Sequence, residues 1–208
     1  MRNLLFLVVM LHCFCNTPTN ITTHHIFYLH GRIVELQGVN AEHPQFGKYL
    51  YHAIIDSLQI GNTVVHHDLR PADVDFYAYA ERISRQIDSL ITHEVTPQNI
   101  TVIGASKGAV MTMHISHLNA NPINYVLLGA NNDDIEREND WRLHGRILGI
   151  YERSDSLAGK NYHHWIARST EAEVFEQFEI NTGLGHGFLY LPLEEWLTPT
   201  KKWINNSL

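Results

Sequence analysis

The chain has 208 residues, 44% hydrophobic and 18% charged, with a formal net charge of −7. That length suits one domain with a substantial core. The acidic balance excludes a general nucleic-acid surface, which needs a basic face.

The first segment reads MRNLLFLVVMLHCFC. Arg2 precedes an apolar run of roughly a dozen residues, long enough for a signal-peptide core and short for a membrane span. Residues 1–15 are therefore expected to be a cleaved signal peptide. Residues 16–208 are expected to form a single domain, exported to the periplasm or beyond and not inserted in a membrane. Cleavage before Asn16 removes Cys13 and Cys15, which excludes cysteine chemistry in the mature protein.

Six apolar runs follow, at residues 25–30 (HIFYLH), 63–67, 100–104 (ITVIG), 125–128, 147–151 (ILGIY) and 174–180. Most are continuous rather than alternating, as expected of parallel strands covered on both faces. Between them lie amphipathic stretches. Residues 46–59 carry Tyr49, Leu50, Ala53, Ile54 and Leu58 at helical spacing, and residues 75–91 carry Phe76, Tyr79, Ile83, Ile87 and Leu90. A last helix over residues 193–203 is expected to be interrupted by Pro199. The pattern predicts an α/β fold, a three-layer α/β/α sandwich around a mostly parallel sheet of about six strands.

One junction carries chemistry. Apolar residues 100–103 turn through Gly104-Ala105-Ser106-Lys107-Gly108 into a helical stretch. A sharp strand-to-helix turn forces its central residue into strain and needs small neighbours, hence G-x-S-x-G. It also lifts the serine hydroxyl to the carboxyl end of the sheet, beside the N–H groups of the following helix. A nucleophilic serine needs a base, and the base an orienting acid. After residues 147–151 come Glu152 and Asp155; after the next run comes His186, between Gly185 and Gly187.

With this order of serine, carboxylate and histidine, the chain resembles the α/β-hydrolase superfamily over roughly residues 24–203. It looks like a compact member without a cap, of the serine esterase, thioesterase or dienelactone-hydrolase type, starting at the family's third strand. The resemblance implies Ser106 as nucleophile, His186 as base and Asp155 as acid. Asp155 is preferred over Glu152, Asp133 and Asp134 because it follows its strand by the usual short loop. The FYLHG segment, residues 27–31, resembles the third strand and its His-Gly, implying an oxyanion hole from the backbone N–H groups of Arg32 and Lys107. The segment HHDLRP resembles the family's Asp-Leu-Arg segment, with Pro71 where a glycine is usual. Glu35 and Arg70, in loops on the site's side, are candidate substrate contacts or loop pins. The implied substrate is a small, soluble carboxylic ester or thioester, with no metal and no organic cofactor. A silent binding protein on the same fold, or a serine peptidase, are the competing readings.

Overall fold

The computed structural model describes residues 23–205. The expected signal peptide and its cysteines lie outside the described residues. Six strands form one parallel sheet: β1 His24–Leu29, β4 Thr63–His66, β5 Ile100–Ala105, β6 Asn124–Leu128, β7 Gly145–Glu152 and β8 Ala172–Ile180, in the order β4-β1-β5-β6-β7-β8. A small antiparallel hairpin, β2 Glu42–His43 with β3 Gly47–Lys48, stands apart from it. The helices are α1 Arg32–Gln37, α2 Tyr51–Leu58, α3 Phe76–Thr92, α4 Lys107–Leu118, α5 Asp133–Glu138, α6 His163–Arg168 and α7 Glu194–Asn205.

Alternation along each strand builds two cores. On one face Ile26, Tyr28, Ile103, Val126 and Leu148 pack with Ile54 and Leu58 of α2 and Trp196 and Trp203 of α7. On the other, Phe27, Leu29, Val102, Tyr125 and Ile147 pack with Ile83 and Ile87 of α3 and Met111 and Ile115 of α4. Double coverage explains why the central strands read as unbroken apolar runs: every residue of β5 and β6 is buried. The outer strands β4 and β8 are only half covered.

Three expectations change. The helix expected over residues 46–59 begins at Tyr51, because residues 42–48 form the hairpin instead. Helices α1, α5 and α6, of six residues each, were not foreseen. The helix α7 runs through Pro199 without a break. An interior proline costs about 3 kcal/mol, and burial of Trp196, Leu197, Trp203 and Ile204 on one side of α7 offsets it.

Candidate active site

The strand β5 ends in Ser106, which adopts φ 53° and ψ −121° before α4 begins at Lys107. A non-glycine residue at positive φ is strained, and here it turns the hydroxyl out of the sheet. The turn is tight enough to require its two glycines. A β-carbon on Gly104 would lie 2.4 Å from the Gly108 carbonyl oxygen, and one on Gly108 would lie 1.9 Å from that of Leu29. The start of α4 thus lies directly against the end of β1.

His186 lies in a short 3₁₀ turn, Gly185–Tyr190, after β8. Its Nε2 is 2.8 Å from Ser106 Oγ, and its Nδ1 is 2.7 Å from Asp155 Oδ2. A carboxylate only accepts, so Nδ1 carries the proton and Nε2 is left to accept from the serine hydroxyl. Asp155 Oδ1 accepts from the N–H groups of Leu157 at 2.8 Å and Ala158 at 3.2 Å. Burial works to raise the Asp155 carboxyl, but the hydrogen bonds from His186, Leu157 and Ala158 outweigh it and hold it below its usual value.

Glu152 is also buried, with a different task. Its Oε2 accepts from the N–H and hydroxyl of Ser154, both at 2.6 Å, and its Oε1 from the N–H groups of Thr182 at 2.9 Å and Gly183 at 3.1 Å. It therefore joins the loop of Asp155 to the loop of His186. Burial pushes its carboxyl up, and these donors bring it below the ordinary value. Asp133 pairs with Lys160 and Asp134 with Arg137, both on the exposed surface.

The N–H groups of Arg32 and Lys107 are the first of α1 and α4, so neither has an intrahelical acceptor. A β-carbon on Gly31 would lie 3.5 Å from Ser106 Cβ, which sets the Gly31–Arg32 turn beside the hydroxyl. Glu35 and Arg70, read from the sequence as substrate contacts or loop pins, are enclosed. Their side chains are 1% and 0% exposed, and Arg70 Nε donates to Glu35 Oε1 at 2.9 Å. Lys107 Nζ donates to the other oxygen at 2.6 Å. Burial and mutual pairing leave them holding the loops around the site rather than facing a ligand.

A cleft of about 390 Å³ opens over Ser106 and His186, walled by Ile33, Leu36, Phe46, Leu157, Leu189 and Tyr190. Phe46 comes from the hairpin, its ring 6.2 Å from that of His186 and 5.6 Å from that of Tyr190. His43 stacks behind it at 4.6 Å. The sequence reading missed this wall. Its signal was the Pro44-Gln45-Phe46-Gly47 turn, which overlaps the first two residues of what read as a helix.

The sequence matches no protein-family model and no curated protein. Solved structures do match in shape. SOBER1 of Arabidopsis thaliana aligns with a TM-score of 0.56 at 13% identity, over 89% of this chain and 99% of its own. A YdeN-like hydrolase of Pectobacterium atrosepticum gives 0.59 at 14% identity, over 90% and 93%. A phospholipase/carboxylesterase of Dyadobacter fermentans gives 0.58 at 9% identity, over 91% and 93%. The fold is that of the α/β hydrolases. On this fold the described residues hold six parallel strands, the number expected from the sequence. The serine, the carboxylate and the imidazole stand at the carboxyl ends of β5, β7 and β8, where ligands of open α/β sheets bind.

Proposed function

We propose that the chain is a serine hydrolase that cleaves carboxylic esters or thioesters through an acyl-enzyme. The observation that carries this reading is the line Asp155–His186–Ser106, with contacts of 2.7 and 2.8 Å beneath an open cleft. His186 Nε2 takes the Ser106 proton as Oγ attacks the carbonyl carbon, and Asp155 stabilises the imidazolium. The oxyanion is received by the N–H groups of Arg32 and Lys107, each contributing about 2.7–4 kcal/mol. His186 then gives its proton to the leaving alcohol or thiol, and water repeats the sequence on the acyl-serine.

The cleft walls favour an apolar acyl group. The side chains of Ile33, Leu36, Phe46 and Leu189 offer contact area and no hydrogen bonds. A small ester whose acyl portion is aliphatic fits better than a carbohydrate acid. The basic and apolar leader supports an exported enzyme, and fractionation of expressing cells tests that part.

Labelling with a fluorophosphonate, followed by peptide mass spectrometry, tests the central claim. Modification of Ser106 is expected, with none in Ser106→Ala. Folded wild-type protein that stays unlabelled would return the chain to the reading of a binding protein. Across p-nitrophenyl esters, kcat/KM is expected to rise from acetyl to medium-length acyl groups. A steady decline from acetyl onward removes the apolar-acyl assignment while leaving the hydrolase intact.

A further inference from the structure

Glu35 is a buried carboxylate serving two cations, and an ion so placed is tolerated only when well paired. The connectivity gives the pairing a purpose. Glu35 lies in α1, whose first N–H is that of Arg32, while Lys107 owns the N–H that opens α4. One carboxylate therefore joins the two elements whose amides flank Ser106. Apolar packing holds one side of α1 through Val34 and the partly buried Ile33, and Glu35 is its other buried residue.

Arg70 closes the arrangement from behind. Its Nη2 donates to the His30 carbonyl, and its backbone N–H donates to His30 Nε2 at 3.1 Å. That fixes the residue just before the Gly31–Arg32 turn. The guanidinium also lies 5.3 Å from the Tyr79 ring of α3. The end of β1, the start of α1 and the start of α4 are thus bound into one polar knot of His30, Glu35, Arg70 and Lys107.

We propose that Glu35, bridged to Lys107 and Arg70, is a positioning residue that sets the spacing of the Arg32 and Lys107 N–H groups, and so the shape of the oxyanion hole. This rests on the hydrolase reading above. Glu35 is too enclosed to meet substrate, so its influence passes through the two amides. Those donors act on charge that develops in the transition state, and loosening them lowers kcat rather than raising KM.

The experiment compares wild type, Glu35→Gln, Lys107→Met and Lys107→Arg in steady-state hydrolysis of a p-nitrophenyl ester and in the rate of fluorophosphonate labelling. Glu35→Gln leaves the enclosed Arg70 without its charged partner and can unfold the chain. Lys107 is 27% exposed, so Lys107→Met is the variant that keeps the fold. For Lys107→Met, kcat and the labelling rate are expected to fall about 10- to 100-fold with KM within about twofold. Lys107→Arg is expected to recover most of the loss. Wild-type rates in a folded Lys107→Met, or a change confined to KM, overturns the inference while wild-type labelling upholds the hydrolase. A wild-type protein that is folded and unlabelled removes both.

Discussion

Glu152 ends β7 and Asp155 lies three residues beyond it, both are buried, and only Asp155 faces the imidazole. That difference separates what each contributes. Asp155→Asn keeps the shape but favours the wrong His186 tautomer, and the expected loss is about 10⁴-fold in kcat with little change in melting temperature. Glu152→Gln removes a charged acceptor from five donors, and the expected result is the reverse emphasis: a loss of about 2 kcal/mol in stability and a smaller loss of rate. Urea denaturation and ester hydrolysis on the two variants check this, and interchanged behaviour would reassign the acid. Ser106 and His186 were legible in the sequence because each sits between glycines that a close turn requires. The choice between the two carboxylates rested on loop length alone, since they lie three residues apart at the end of β7 and their directions depend on backbone that composition does not describe. Glu35 and Arg70 were located on the correct side of the sheet. Their burial was not legible, because it depends on Lys107 and His30 reaching them from distant parts of the chain.

The strands were legible for a physical reason: an element covered on both faces leaves an unbroken apolar run, as in β5 and β6. Six-residue helices such as α1, α5 and α6 span less than two turns, too little for a helical period to emerge. The two-residue strands of the hairpin leave no alternation to read. Where elements meet, tolerance is lowest at the junction of β1 and α4. A methyl on Gly108 has the Leu29 carbonyl group in its way, at 1.9 Å from the oxygen and 2.5 Å from the carbon, and both are backbone atoms. Gly108→Ala is therefore expected to cost about 3 kcal/mol and to displace Ser106. The check is a lower urea midpoint at an unchanged slope, together with slowed labelling. A variant as stable and as reactive as wild type would show that α4 can slide away from β1.

The whole molecule carries fifteen histidines, and several are held where charge is disfavoured. Burial, joined by the Arg70 charge, lowers His30 from 6.5 to about 4. Burial likewise lowers His24, His25, His66 and His114. The unfolded chain then binds more protons than the folded one between those values. The stabilisation is complete above about 6.5 and is lost as pH falls toward about 4, with His30 alone worth roughly 3 kcal/mol. Melting temperatures are expected to drop across that window, and His30→Asn to flatten the drop. A flat profile in wild type would mean that His30 is not shielded as described.

The all-parallel order of the sheet has one more result. Ser106 and His186 are 80 positions apart, and no stretch between them can turn directly from one strand to its neighbour without a crossover. A growing polypeptide on the ribosome therefore carries a bare alcohol long before the ring that meets it has been made. Under the proposed function, reactivity toward esters waits until the segment bearing His186 has been made and has settled above β5.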